Sequence, residues 1–489
     1  MSRKRLRQEA FEALAAGEVE LAIRHFEQCL EQDNDDAAGY TALGNALKRQ
    51  GRFAEAVCRH QEAIRLMPRS AELRSNLGGT YLAWGQHGAA VRELEHAVSL
   101  EPHGVELVFN LGTALHQAGR YAEACVKFRE VTKVEPSHYR SWTNLGSSLK
   151  SMGLLGESVE ALERAVSLAP DFAEAQWNLG LGRLTLGEFH AGWELYEWRR
   201  EIPEIPITRF NEPSWDGSFE TSSTLLIHAE QGHGDTFQFV RFIRLARARV
   251  GRVVFVCPAP LRKVLEGVEG VDQWMLPGEA LPPFDAQLPL MSLPHVLGVG
   301  GELSASGAYL ASHSARSSFW GERLRDLRGM KIGLCWQGNP TYSDDSALSI
   351  PLEAFEPLME LEGVSFVALQ KEEGLGGLAA CAERWPIVDW SEELDRDHGA
   401  FVDSAAIISQ LPLVITSDTS IAHLAGALGR PVWLLLADVC DWRWGLESTE
   451  TPWYPTMRLF RQRRSGDWGE VMSRVSQALG AQLRKTSRS

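Results

Sequence analysis

The pair Leu-Gly returns every 34 residues, at Leu43-Gly44, Leu77-Gly78, Leu111-Gly112, Leu145-Gly146 and Leu179-Gly180. A second glycine keeps the same interval at Gly17, Gly51, Gly85, Gly119, Gly153 and Gly187. A small residue does so at Ala22, Ala56, Ala90, Ala124, Ser158 and Gly192, and a proline closes units at Pro68, Pro102, Pro136 and Pro170. Six units keep phase from about Arg3 to Glu204. Such a period marks a supersecondary unit that cannot bury its apolar face alone, so successive units must stack. The small residues let two helices approach, and the proline, lacking an N–H, breaks the chain before the next unit.

Length and phasing resemble the tetratricopeptide repeat, a helix–turn–helix unit. That resemblance implies a right-handed superhelix with a concave inner surface. Asn76, Asn110, Asn144 and Asn178 also keep phase, one residue before each Leu-Gly. In the repeat this position lies on the inner face of the first helix. An amide offers one acceptor and two donor hydrogens, so the row is a candidate protein-binding ladder, similar to the one that holds extended substrate in protein O-GlcNAc transferases. The competing reading is that each Asn bonds a neighbouring unit. The sixth unit ends in Trp193, Tyr196, Trp198, Arg199 and Arg200, an aromatic cluster expected to cap the stack against the next domain.

Ile202 to Ser218 holds three prolines and reads as a linker. Beyond it, β-rich runs alternate with helical patterns. Strands are expected at Thr224–His228, Val253–Val256, Val271–Leu276, Lys331–Trp336, Val364–Leu369, Leu413–Thr416, the run PVWLLL and Met457–Phe460. Helices are expected at Thr236–Arg249, Leu261–Leu265, Leu324–Met330, Pro351–Leu361, Phe401–Gln410, Ile421–Leu428 and Asp467–Leu479. This alternation is that of parallel α/β sheets. The whole reads as α + α/β: an α-solenoid over 1–204, a linker over 205–222, and α/β lobes over 223–325 and 326–489.

Two loops carry the candidate chemistry. In the first, Gly232 and Gly234 allow a tight bend after a strand, and Asp235 opens the next helix with Gln238 three residues on. That spacing suits a capping box. In the second, Ser417, Asp418, Thr419 and Ser420 join a strand to a helix whose His423 shares a face with Thr419. Such a turn aims free N–H groups and a positive helix end at the crevice beyond the sheet, where a phosphate can sit.

The second stretch resembles the D-[ST]-G-x-x-H-L-A-x-A-L-G-x-P signature of the ADP-heptose:lipopolysaccharide heptosyltransferases, two-lobed GT-B glycosyltransferases. Asp418, Thr419, His423, Leu424, Ala425, Ala427, Leu428, Gly429, Pro431 and Val432 match; Ser420 replaces the usual Gly. The resemblance implies an inverting transferase with a nucleoside-diphosphate sugar as donor and no tightly bound cofactor. It gives Asp235 the role of general base, with His233 as second candidate. It assigns Asp418, Thr419, Ser420 and His423 to holding and neutralising the donor diphosphate. Gln337, Gln370, Lys371 and Trp444 are further donor-binding candidates, Trp444 as an exposed ring to stack on a base, the competing reading being that most rings of this aromatic tail pack in the core. The family's phosphate-binding Lys is missing: no Lys or Arg lies between Trp336 and Pro351. Lys371, Arg430 and Arg443 are the candidate substitutes. Asp344 and Asp345 stand in that interval and repel a diphosphate unless a metal intervenes; no metal site is otherwise expected.

A net charge of −15 argues against nucleic acid and anionic membrane as partners. No transmembrane segment is read from the sequence, and seven scattered cysteines fit a reducing cytoplasm. The expected partners are a nucleotide sugar and a polypeptide or glycan acceptor, and a homo-oligomer is compatible. The alternative is a catalytically inactive scaffold whose second half keeps the fold and has lost the donor grip.

Overall fold

The computed structural model describes residues 2–300, 307–338, 349–371, 374–381, 384–385 and 387–486. The chain divides into two compact units, Met1–Leu179 and Gly180–Ser489.

The first unit is a stack of antiparallel helix pairs: α1 (Arg3–Ala15) with α2 (Val19–Gln32), α3 (Ala37–Arg49) with α4 (Phe53–Leu66), α5 (Ala71–Ala83) with α6 (His87–Leu100), α7 (Val105–Gln117) with α8 (Tyr121–Val134), and α9 (Tyr139–Ser151) with α10 (Leu155–Leu168). Each pair turns at a glycine of positive φ, +81° at Gly17 and between +73° and +77° at Gly51, Gly85, Gly119 and Gly153. A side chain is disfavoured there, which is why glycine returns at that phase. The Leu-Gly glycines make a different contact. A Cβ at Gly44, Gly78, Gly112 or Gly146 would fall 2.7, 2.7, 2.7 or 2.5 Å from His60, Leu94, Phe128 or Leu162. Each glycine is thus the hole that receives one large side chain of the second helix. His60 is the exception among these knobs: it is fully buried with neither ring nitrogen hydrogen-bonded.

The sixth repeat straddles the division. Its first helix, α11 (Ala173–Thr185), ends where α12 (Phe189–Tyr196) begins to pack into the second unit. Trp193 lies edge-on to Phe239, Trp442 and Trp453 at 6.0, 5.3 and 6.2 Å, contacts that all fall within the second unit. Arg199 is wholly buried against Glu230 (2.6 Å), Glu197 (2.7 Å) and Ser292 Oγ (2.8 Å).

The rest of the second unit is built on two parallel sheets. The first has β1 (Glu220–His228), β2 (Val250–Val256), β3 (Gln273–Met275) and β4 (Ala286–Pro289), in the order β3-β2-β1-β4. The second has β5 (Met330–Cys335), β6 (Val364–Ala368), β7 (Ile387–Val388), β8 (Leu413–Ser417), β9 (Val432–Leu436) and β10 (Met457–Arg461), in the order β10-β9-β8-β5-β6-β7. β8 and β9 are buried throughout, hence their unbroken apolar runs. The proline-rich linker is tied down rather than loose: Trp215 N–H donates to Gln287 O, and Gln287 N–H to Pro213 O.

Four helix expectations are corrected. Pro351–Leu361 is a 3-10 turn at Leu352–Phe355 followed by a short helix at Glu356–Met359. Thr236–Arg249 is not one helix but α13 (His233–Phe239), a 3-10 turn at Val240–Phe242 and a short helix at Ile243–Arg247. Leu261–Leu265 is reduced to a 3-10 turn at Ala259–Leu261. The polar helix expected at Leu324–Met330 lies earlier, at Ser314–Arg325, and Met330 already belongs to β5. Asn339, Pro340, Asp344 and Asp345 fall outside the described residues.

Candidate functional site

In a parallel sheet the crevice lies where the strand order reverses, outside the carboxyl ends. In the second sheet that point is between β5 and β8, and the turn Asp418–Thr419 leads from β8 into the helix Ser420–Ala427 there. In the first sheet it is between β1 and β4, and the loop carrying Gly232 to Asp235 follows β1. The two loops meet within the second unit. A Cβ at Gly234 would lie 2.8 Å from His423 Cδ2, so a glycine is required where α13 crosses the helix Ser420–Ala427.

Asp235 is the third residue of α13 and its Oδ2 accepts from Gly232 N–H at 2.9 Å. The capping role is therefore real, with Gly232 as the N-cap rather than Asp235. Gln238 takes no part in the cap: its Oε1 accepts from Arg443 Nε at 2.5 Å. The other oxygen of Asp235 is ion-paired with Arg443 Nη2, and Arg443 Nη1 reaches Asp441 Oδ1 at 2.8 Å. Burial pushes the Asp235 carboxyl above its ordinary value, and the Arg443 charge only partly counters this. Burial works against the Arg443 charge too, but Asp441 and Asp235 outweigh it and hold the guanidinium protonated. His233 packs edge-on to Phe401 at 5.7 Å, and burial lowers its basicity. Gln231, in the same loop, has φ +59°, a strained setting for a side-chain-bearing residue.

Asp418 Oδ2 accepts from Trp444 Nε1 at 2.7 Å. Burial and the nearby Asp441 push its carboxyl up to about 7, against the pull of the Trp444 N–H and Arg443. Thr419 is the N-cap of the helix, and its Oγ1 lies 3.3 Å from Thr416 Oγ1 and 3.8 Å from Cys335 Sγ. Ser420, half-buried, is the first helical residue.

Four expectations change here. His423, expected to help neutralise charge, is itself kept neutral by burial with Arg443 and Arg241 nearby, and its Nδ1 pairs with Tyr454 OH at 2.9 Å. Trp444, expected as an exposed stacking ring, is 1% exposed, anchored by Asp418 and packed on His423. Gln370 holds the carboxyl ends of β5 and β6 together, accepting from Trp336 and Gln337 N–H at 3.1 and 3.0 Å and donating to Gln337 O at 3.0 Å; Gln337 is half-buried beside it. Lys371 Nζ donates to Leu394 O at 2.7 Å, and Arg430 to Leu411 O. Of the three candidate substitutes for the missing Lys, Arg443 is the one paired to Asp235.

Sequence reasoning missed Arg241, Tyr309 and Tyr454. Arg241 donates to Trp453 O and Tyr309 OH, both at 2.7 Å, and lies 4.6 Å from the Tyr454 ring centre. No local pattern signals residues so far apart in the chain. Among the described residues no cluster of His, Cys, Asp and Glu is arranged to hold a metal ion, and no helix is long and apolar enough to cross a membrane.

In the first unit, three amides of the ladder already have donors engaged. Asn110 donates to Ser75 Oγ (3.2 Å), Asn144 to Thr113 Oγ1 (3.4 Å) and Asn178 to Glu174 O (2.8 Å). Two of these bonds run between neighbouring repeats, as the competing reading holds. All four Asn, Asn76 included, are half-buried.

Two family models match the helical region: tetratricopeptide repeat over residues 139–172 and bacterial transcriptional activator domain over residues 4–135. Protein FlbA of Caulobacter vibrioides (strain ATCC 19089 / CIP 103742 / CB 15) is 27% identical over 330 residues, covering 60% of this chain and 53% of FlbA. The chain thus spans about half the length of the curated relative it matches, and the match, longer than the first unit, extends into the second. Among solved structures, YrrB, described as a TPR protein with an unusual peptide-binding site, shares 19% identity; the match covers 36% of this chain and 92% of YrrB, with a TM-score of 0.30. PilW, a type IV pilus biogenesis factor, shares 16%, covering 41% and 91%, with a TM-score of 0.37. The N-terminal region is a solenoid of tetratricopeptide repeats, followed by a region of parallel sheets and helices.

Proposed function

We propose that the chain is an inverting glycosyltransferase of GT-B arrangement that moves a sugar from a nucleoside diphosphate to an acceptor hydroxyl, with the repeats presenting a polypeptide acceptor. One observation carries this reading: the first switch-point loop sets Gly234 against His423 of the helix Ser420–Ala427 and pairs Asp235 with Arg443, whose neighbour Trp444 bonds Asp418 in the second switch-point turn. The N–H groups of that turn and the helix dipole would receive the leaving diphosphate. Arg443 is the cation in reach. As a phosphate oxygen takes over its Nη2, Asp235 loses the partner that suppresses its basicity and becomes the base for the acceptor proton. His423, being neutral, contributes positioning through Tyr454 rather than charge. Free cysteines throughout suit the reducing cytoplasm.

A second reading is favoured by one feature. In this state both Asp235 oxygens are engaged, by Gly232 N–H and Arg443, as they would be in an inactive scaffold that binds partners through its repeats. Calorimetric titration with UDP, GDP, ADP and dTDP, with and without magnesium, followed by a transfer assay, separates the two. Binding of one nucleotide, with turnover lost and binding kept in Asp235→Asn, supports the transferase. Absence of binding by all four in folded protein supports the scaffold.

A further inference from the structure

We propose that Arg199 is a positioning residue for Asp235: this guanidinium, at the end of the sixth repeat, holds the loop that carries Asp235 in a strained shape the loop does not keep alone. The kinetic consequence rests on the transferase reading; the geometry does not. Arg199 is wholly buried, and the five N–H donors of a guanidinium are all engaged. Nε and Nη2 form a fork on Glu230, 3.2 Å to Oε2 and 2.6 Å to Oε1. Nη2 also donates to Ser292 Oγ at 2.8 Å, and Nη1 to Glu197 Oε1 at 2.7 Å and Tyr196 O at 3.2 Å. Glu230 Oε1 accepts a further bond from Met291 N–H at 3.1 Å. The residue that opens the loop is thus fixed from two directions, by the turn Glu197–Glu201 and by the turn Leu290–Ser292.

The next residue bears the strain. Gln231 has φ +59°, and its Nε2 donates to Tyr196 OH at 3.2 Å. A left-handed backbone is unfavourable for a residue with a Cβ and persists where neighbours impose it. Among the described residues, Asp395 and Phe401 are the other non-glycine positions of positive φ. The Phe401 ring packs edge-on to His233 and Phe237, at 5.7 and 5.2 Å, so two of these three strained residues bear on the stretch from Gln231 to Phe237. The bend at Gln231 aims the chain so that Gly232 N–H meets Asp235 Oδ2 at 2.9 Å while the other oxygen meets Arg443. Arg199 needs no left-handed residue merely to weld the repeat to the sheet. The strain one residue beyond Glu230 is what marks the fork as a device for placing Asp235.

The test uses the full chain with Arg199→Met and Glu230→Met together, which removes the fork without stranding either of its charges. Amide hydrogen exchange at Gly232 and Thr236 is expected to quicken about tenfold, with the amides of β8 unchanged. In the transfer assay kcat should fall about tenfold while the nucleotide Kd stays within about twofold. Adding Gln231→Gly, a residue that takes the left-handed backbone freely, should recover part of both the protection and kcat; a role in packing alone predicts no recovery. If the double variant does not fold, Arg199→Lys, which keeps the charge and loses the fork, carries the same measurements. Unchanged exchange at Gly232 and Thr236 in folded protein, no recovery with glycine, or equal losses of nucleotide binding and kcat overturn the proposal. Absence of turnover in the unsubstituted chain refutes the transferase reading instead, and the exchange measurements then decide this one.

Discussion

Replacing Asp418 by Asn should stabilise the second unit by an amount that grows as pH rises from about 4 and is complete above about 7. The folded carboxyl sits at about 7 because burial and Asp441 disfavour its charge, whereas an unfolded Asp ionises near 3.9. Below pH ~4 both states are protonated and the group contributes no difference. Between pH ~4 and ~7 the unfolded chain binds fewer protons than the folded one, so stability falls as pH rises, and above 7 the full loss is present. Three pKa units correspond to roughly 4 kcal/mol; partial access to water reduces this to about 2–4 kcal/mol. Asn cannot ionise, and its carbonyl can still accept from Trp444 Nε1. For a unit of this size that is a shift in melting temperature of about 4–8 °C. Tryptophan fluorescence melts of the two chains at pH 5 and pH 8.5 test it, since other titrating groups act alike on both. A difference between the chains that is the same at the two pH values would refute the reasoning.

Gly146→Ala should destabilise the repeats by about 1–3 kcal/mol in urea unfolding, because its Cβ would come within 2.5 Å of Leu162 Cγ and 3.1 Å of Ser158 O. Gly156→Ala, with open space around it, should be neutral to stabilising by up to about 1 kcal/mol. His60→Leu should stabilise the repeats by about 1–3 kcal/mol and remove an acid sensitivity: burial and Lys48 lower the imidazole to about 4, so wild-type stability is lost as pH falls from 6.5 towards 4, and the Leu variant should lack that loss in melts at pH 4.5 and 7.5. Arg443→Gln leaves two carboxylates without their cation and should cost about 3–5 kcal/mol, read as a lowered melting midpoint; it should also weaken binding of any nucleoside diphosphate.

The stack is legible in the sequence because one packing problem is solved repeatedly. The turn glycines at Gly51 or Gly119 announce a left-handed backbone, and no other residue type serves there as well. The knobs that fill the Leu-Gly holes are not legible, since His60, Leu94, Phe128 and Leu162 share bulk and position but not chemistry. In the second unit the long buried strands stand out, whereas β4 and β7, of four and two residues, are too short to show a period. The helix Ser314–Arg325 escapes the pattern because it is mostly polar, burying only Trp320 and Leu324. The two motif loops can be found singly. Their meeting cannot, because Gly234 and His423 lie far apart in the chain and nothing local records their contact, nor the pairing of Asp235 with Arg443, 208 residues on. Trp444 misleads for a similar reason: an indole in a polar loop reads as surface until its partner Asp418 is known.

The way the solenoid ends has a consequence for how such a chain can change. Between α2 and α10 every joint has the same spacing and the same kind of contact, so a whole unit inserted or removed there leaves every remaining interface of a familiar kind, and copy number is open to variation. The sixth repeat lacks that freedom. Gly180 packs against the main chain of Tyr196 rather than against a side-chain knob, Trp193 is held by three rings of the second unit, and Arg199 is locked to Glu230. Any lengthening or shortening of the array is therefore confined to positions upstream of α11, while the terminal repeat travels with the sheets as one inherited piece.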